Sequence, residues 1–484
     1  MAISKTKKKF YITTSIPYVN AHPHVGFALE LIQADALARF HRLLSADTFF
    51  LTGTDEHGSK VPKAAQAAGK EILDFVNEIS ARFKKLCAVL GISNSHFIRT
   101  TDQGHKKSAQ KFWKKTLDSG DIYKSKYEGL YCVGCENYYN ESDLEGGLCP
   151  IHKTKPETLS EENYFFRFSK YQAQLLDHFQ KNPGFVVPKT RYNEIFEFIK
   201  HGLSDISISR STKTLKWGVP VPGDREQVIY IWFDALINYL SGIGYAEEDA
   251  TFKKYWPADV HLIGKDILRF HAGLWPAMLL SAGLPLPKQI FVHGFISVDG
   301  QKISKSMGNI IDPFALAEKY GADVLRYFLL REIPSDGDGD FSVQKLEARY
   351  TADLVNNLGN LVSRLTNLIE KELNGVVPFD VEAPKKAENL EKYIRDFRLH
   401  EALAEIWENL SWANQYIDEV KLWELPQKNP KLFKEAISSL VALLRQVISE
   451  LSPFLPHTAQ RLEEIFSAEK IVKSPPLFPR LVDS

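Results

Sequence analysis

A chain of 484 residues with 44% hydrophobic and 12% aromatic content can bury more than one core, which predicts an ordinary soluble protein of about three domains. Lysine plus arginine and aspartate plus glutamate each number 60, so any nucleic-acid partner has to be met by a local basic patch and not by overall charge. The nearest approach to a membrane span, "GLWPAMLLSAGLPLP", is short and broken by proline, and "FYITTSIPY" after the basic "KTKKKF" lacks the apolar core of a signal peptide; the expected location is cytoplasmic, with no membrane partner.

In chain order, "FYITTSI" reads as a strand, "ALELIQADALARFHRLL" has apolar residues at helical spacing, and "TFFLTGT" is a second strand. A helical "EILDFVNEISARFKKLCAVLGI" and a strand-like "HFIRTT" follow, an alternation that predicts a parallel sheet flanked by helices. From about Asp121 to about Val228 the texture becomes aromatic and turn-rich, and it carries three of the four cysteines. The alternation then resumes with "VIYIWF", "DVHLIG", the helix "DILRFHAGLWPAMLLSA" and "QIFVHGF". After "SDGDGDFS" the patterns are helical almost to the end.

The phosphate chemistry is carried by two stretches far apart. In a doubly wound sheet, ligands sit beyond the carboxyl ends of the strands, where a helix N-terminus offers free N–H groups to phosphate. "HPHVGF" lies at such an end: His24 can donate from its ring, and Gly26 has no side chain to block a nucleotide. "GQKISKSMGN" places Lys302, Ser304, Lys305 and Ser306 in a Gly-bounded loop whose lysines can clamp a triphosphate; Gln301 stands where a Walker loop has its lysine.

Together the two stretches resemble the signatures of a class I aminoacyl-tRNA synthetase. "KISKS" is close to that family's Lys-Met-Ser-Lys-Ser loop, while "HVGF" departs from its His-Ile-Gly-His at the fourth position, Phe27. The blocks "TTSIPYVNAHPHVG", "GTDEHGSKV", "YIWFDALINYL", "GKDILRFHAGLWPA" and "VHGFISVDGQKISKSMGN" resemble, in order, those of the methionyl-tRNA synthetases, and the likeness runs from about Phe10 into the C-terminal helices.

That resemblance implies an α/β Rossmann-like parallel sheet split by a zinc-containing insertion and followed by an all-α anticodon-binding bundle. The implied divisions are 1–118 and 228–325 for the two catalytic halves, 119–227 for the insertion, 326–350 for a linking segment and 351–484 for the bundle. It implies ATP, with Mg²⁺, bound by His24, Gly26, Gly264, Asp266, Lys302, Ser304 and Lys305, of which His24, Lys302 and Lys305 serve catalysis. Methionine would lie among Ile16, Tyr18, Asp55, Trp232, Tyr239, Phe270, His271 and Trp275. An aromatic pocket with a weak hydrogen bond suits an unbranched, polarizable thioether, and Asp55 suits its ammonium.

In "CVGCENYYNESDLEGGLCPIH", Cys132, Cys135, Cys149 and His152 fall on two knuckles whose donors suit one tetrahedral, structural Zn²⁺. In "NNLGNLVSRL", Asn356, Asn360 and Arg364 are four apart and share a helix face, and Trp423 matches the aromatic that stacks on an anticodon base of tRNA(Met), initiator tRNA included. Leu422 stands where the family often has proline. A monomer is expected, since the chain ends with the bundle. Two alternatives stay open: another class I synthetase for an apolar amino acid, and a catalytically silent, zinc-containing tRNA-binding protein.

Overall fold

The computed structural model describes residues 8–132, 137–139, 141–151, 153–302 and 311–481. The central sheet is parallel and has six strands: β1 (Lys9–Thr14), β2 (Asp47–Thr54), β3 (His96–Arg99), β4 (Val186–Val187), β5 (Val260–Gly264) and β6 (Ile290–His293), arranged β3-β2-β1-β5-β6-β4. Strand order reverses between β1 and β5, so the crevice beyond their carboxyl ends is the place where this topology receives a ligand. Edge strand β4 comes from the aromatic, turn-rich span between the two alternating regions, and pairs Val186 with Ile290.

Helix α1 (Val25–Leu43) joins β1 to β2 and is buried on nearly every side, because it lies between the sheet and the helices that follow it. Beyond Gly26 in the first turn it carries no Gly or Pro, and His41 and Arg42 in the last turn suit the negative end of the helix dipole. Two further helices pack beside it or beyond β3: α2 (Ile72–Val89) and α3 (Gln103–Asp118). The lobe that follows α3 is a four-stranded antiparallel sheet built on a long hairpin, Ile122–Cys132 with Glu157–Phe166.

Past β6 comes a hairpin, β7 (Ile296–Val298) and β8 (Gln301–Lys302), turned by Asp299 and Gly300, both at positive φ. An Asp-Gly pair is suited to such a tight turn. A bundle completes the chain, its longest helices being Leu399–Glu419 and Pro430–Leu451. Arg326 fastens it to the sheet domain. Wholly buried, Arg326 pairs with Asp35 of α1 at 2.7 Å and donates to the carbonyls of Leu90, Pro453 and Phe454. Burial opposes the Asp35 charge, but Arg326, Arg39 and Ser93 together hold its carboxyl below the usual range.

Candidate active site in the crevice between β1 and β5

His24 is the N-cap of α1, with extended backbone, and its Nδ1 accepts the Gly26 N–H at 3.1 Å. A neutral imidazole that accepts at Nδ1 carries its proton on Nε2, which leaves that nitrogen as a donor. Burial pushes the His24 pKa down, which favours this neutral form. A Cβ on Gly26 would come within 2.9 Å of the His24 ring, so only glycine lets the imidazole fold back over its own helix start. The Val25 N–H donates to Ile311 O at 3.2 Å. The helix that begins at "HVGF" therefore touches Ile311, two residues past "KISKSMGN". Lys302 is described by its backbone, opposite Ser297 in the β7–β8 hairpin, whereas Ser304 and Lys305 lie outside the described residues.

Phe27 does not face the crevice opening. It is 8% exposed and its ring meets that of Phe83 of α2 edge-on at 5.2 Å, so it belongs to the core beneath the cap.

On the β5 side, Gly264 ends the strand and Lys265–Ile267 form a single turn. A Cβ at Gly264 would meet Asp266 Oδ1 at 2.9 Å, so the glycine lets this exposed carboxylate reach over the strand end. On the β1 side, Asp55 O accepts from Val19 N–H and Asp55 N–H donates to Pro17 O, which pins the turn after β2 to the Ile16–Tyr18 segment.

The aromatic wall is assembled from two segments. Trp232, on α4 (Ile231–Ala235), stacks on Phe270 at 3.9 Å with planes 5° apart. The helix foreseen over "DILRFHAGLWPAMLLSA" is interrupted: Phe270–Leu274 forms a wider π turn before the α-helical Trp275–Ser281. Pro276 has no N–H to give to the preceding turn and its ring crowds the carbonyl four residues back, a strain the wider turn relieves. The bulge sets Phe270 against Trp232 and His271 against Tyr239. His271 Nδ1 lies 3.1 Å from Ile267 O and its Nε2 lies 2.7 Å from the Tyr239 hydroxyl. A carbonyl only accepts, so Nδ1 bears the proton and the Tyr239 hydroxyl donates to Nε2. Burial drives the His271 pKa down to about 4, which keeps the ring neutral. Trp275 is buried below, its indole N–H directed at His261 Nε2 at 3.3 Å.

The sequence reading missed the groups that hold these elements together. Glu30 of α1, 5% exposed, accepts from Ser15 N and Ser15 Oγ at 2.6 Å each and pairs with His293 Nε2 at 3.0 Å, tying α1 to the ends of β1 and β6. Burial alone would lower the His293 pKa; Glu30 outweighs it and raises it. An acid within the otherwise apolar "FALELI" was the available signal. Lys265 is clasped by Asp338 at 2.6 Å, and Asp340 accepts from Gly300 N and Ser297 Oγ at 2.7 Å, so "SDGDGD" braces the hairpin that leads into the lysine loop.

Away from the crevice, Cys132 and Cys149 are both buried and converge on one residue: Cys149 N donates to Thr154 O at 2.9 Å and Cys132 Sγ lies 4.0 Å from Thr154 Oγ1. Cys132 ends its strand and Cys149 lies 17 residues further on, in a lobe that leaves Ile151 61% exposed; two sequestered thiols beside one residue could serve as donors to a metal. Cys135 and His152 lie outside the described residues, among which no group of three or more metal-binding side chains occurs. Cys87 is unlike these two; burial pushes its thiol up to about 12, and it serves as a small apolar residue.

In the bundle, Asn356 lies in a π-helical stretch, Tyr350–Gly359, and Asn360 and Arg364 in the α-helix Asn360–Leu373. Both asparagines are exposed. The Arg364 guanidinium lies 5.7 Å from the centre of the Trp423 ring and pairs with Asp418 at 2.6 Å. Trp423 is 51% exposed, whereas its neighbour Leu422 is buried and gives its N–H to Ile417 O, a bond that a proline there would lack.

A doubly wound sheet with a capped helix at its switch point, a lysine-bearing hairpin opposite and an appended helical bundle is the architecture of a class I tRNA synthetase. The match to the family described as tRNA synthetases class I (M) spans residues 10–153 and 139–366. The chain is 46% identical to the methionine–tRNA ligase of Thermotoga maritima over 96% of its own length and 76% of that protein. It is 42% identical to that of Brucella melitensis over 99% of both chains. Its fold superimposes on Mycobacterium tuberculosis methionyl-tRNA synthetase bound to methionyl-adenylate with a TM-score of 0.91, at 39% identity over 98% of this chain and all of that one. The chain belongs to the methionine–tRNA ligase family of class I synthetases.

Proposed function

We propose that the chain activates L-methionine with ATP and transfers the methionyl group to the 3′ end of tRNA(Met), initiator tRNA included. The observation that supports this reading is the His24-capped helix at the sheet's switch point together with the Trp232–Phe270 stack and the Tyr239–His271 pair. Asp55 takes the methionine ammonium, with backbone groups of Ile16 and Tyr18 beside it. Trp232, Phe270 and Trp275 enclose the side chain, and the sulfur competes with His271 Nε2 for the Tyr239 hydroxyl proton.

The methionine carboxylate attacks the α-phosphorus of ATP; the new P–O bond forms as the bond to the β,γ-diphosphate breaks, giving methionyl-adenylate and pyrophosphate. No side chain acts as nucleophile, so the protein works by positioning and charge stabilisation. His24 donates from Nε2 to the phosphates, Asp266 and the Gly264 backbone hold the ribose, and Lys302 and Lys305, with Ser304, neutralise the departing diphosphate. Mg²⁺ bound with ATP supplies further charge neutralisation. A ribose hydroxyl at the tRNA 3′ end then attacks the methionyl carbonyl, releasing AMP. Asn356, Asn360, Arg364 and Trp423 read the anticodon, and the protein works as a cytoplasmic monomer.

Cys132, Cys135, Cys149 and His152 would hold one Zn²⁺ with no open coordination position, which gives it a structural role. Charging of total tRNA with labelled methionine tests the proposal: tRNA(Met) species alone should accept the label. Failure to charge them with active wild-type protein contradicts it.

A further inference from the structure

The turn after β2 and helix α4 come from distant parts of the chain, yet a buried carboxylate joins them. Asp234 Oδ2 lies 2.7 Å from His57 Nδ1, and Asp234 Oδ1 lies 3.0 Å from His105 Nε2. None of the three is more than 3% exposed. An ionised carboxylate only accepts hydrogen bonds, so both ring nitrogens bear protons toward it. His105 Nδ1 faces Ser241 Oγ at 2.8 Å, which completes that ring's contacts. Burial works against the Asp234 charge, but the two imidazoles outweigh it and hold the carboxyl near 2.

What the clamp joins gives it meaning. His57 is two residues beyond Asp55, and Asp234 is two residues beyond Trp232. The Asp55 turn is already fixed to Pro17 and Val19 through its backbone, and Trp232 to Phe270 by stacking. The Trp217 indole N–H donates to Glu56 O at 2.6 Å, and Arg99 grips Glu56 with two bonds, so the turn cannot follow α4 if the clamp is lost.

We infer that Asp234 is a positioning residue for methionine: by holding His57 on one oxygen and His105 on the other, it sets the distance between the ammonium-binding turn and the aromatic wall. This rests on the methionine-activating reading above. Asp234 is wholly buried and so presents no surface to substrate or phosphate. An amide at this position keeps the shape but turns an N–H toward one imidazole, so one arm of the clamp opens. Loosening a pocket by a fraction of an ångström weakens the binding of the group it frames and leaves the distant nucleotide contacts alone.

Methionine and ATP titrations of pyrophosphate exchange, with thermal melts, test this on the wild type, Asp234→Asn, His57→Gln and the double variant. The methionine KM should rise about 10-fold in each variant, while the ATP KM and kcat stay within about threefold. The double variant should be no worse than the poorer single one, since both cut the same link. If Asp234→Asn does not fold, His57→Gln carries the same comparison. An unchanged methionine KM in folded variants, or equal rises for methionine and ATP, overturns the inference. A wild type without methionine-dependent exchange would remove the functional reading itself, a result distinct from either.

Discussion

His24 Nδ1 accepts the backbone N–H of Gly26 at 3.1 Å, so one imidazole both caps the helix and keeps its other nitrogen as a donor. The two tasks are separable. His24→Asn retains a capping oxygen and His24→Ala retains nothing, so the alanine variant alone should lose about 1 kcal/mol of stability. Both should slow adenylate formation about 100-fold or more, the usual cost of a preorganised donor. Single-turnover adenylate formation beside a denaturant melt checks this; full activity in a stable His24→Ala protein would refute the role of the ring.

Phe27 makes the opposite prediction. Its ring is in the core against Phe83, so Phe27→Ala should cost about 3 kcal/mol of stability while the adenylate-forming step in the folded fraction changes little. Phe27→His places a polar ring in that apolar contact and should lower stability without speeding the reaction. An accelerated chemical step in Phe27→His would show that the position does face phosphate.

These two positions mark what the sequence made legible and what it did not. Alternating periodicities of strand and helix were enough to foresee the split parallel sheet, because each element's burial pattern repeats locally. "HVGF" was legible as a phosphate turn, yet nothing in the four residues tells which way Phe27 points; that depends on Phe83, far along the chain. The Asp234 clamp was invisible for the same reason, its partners His57 and His105 lying 177 and 129 residues away. The π turn at Phe270–Leu274 was read as ordinary helix because apolar spacing over so few residues does not separate the two.

Buried histidines set the acid response. Burial holds His41 and His271 near 4 and also lowers His24, His96, His178, His261 and His400. An unfolded chain would protonate them near the ordinary value of about 6.5, so their contribution is complete above that pH and is lost as pH falls from about 6.5 towards 4. Asp234, held near 2, adds stability that is lost only below about 3.9. His293 and His457 are raised and act in the opposite sense, favouring the fold below about 6.5, so they offset part of the loss. The lowered histidines outnumber the two raised ones: the melting temperature should fall by several degrees between pH 7.5 and pH 5. His41→Phe, which preserves stacking on Phe10, should shrink that fall. A melting temperature that is flat or higher at pH 5 contradicts this balance.

Arg364 and Trp423 form an exposed cation–π pair at 5.7 Å on the bundle. Because Trp423 is half exposed, Trp423→Ala should alter stability by less than about 1 kcal/mol. Its tRNA charging efficiency should fall at least about 10-fold, since stacking on one unpaired base contributes about 1–3 kcal/mol. Methionine-dependent pyrophosphate exchange should be unaffected. Equal losses in both assays would assign Trp423 to the fold.

The central claim is that this crevice activates methionine. ATP–pyrophosphate exchange measured with each of the twenty protein amino acids in turn tests it most directly. Methionine should support exchange at least about 100-fold more efficiently than isoleucine, valine or leucine, since the Trp232–Phe270 stack and the Tyr239 hydroxyl suit an unbranched, polarizable thioether that can accept a weak hydrogen bond. Exchange driven best by another amino acid, or by none, would contradict the account.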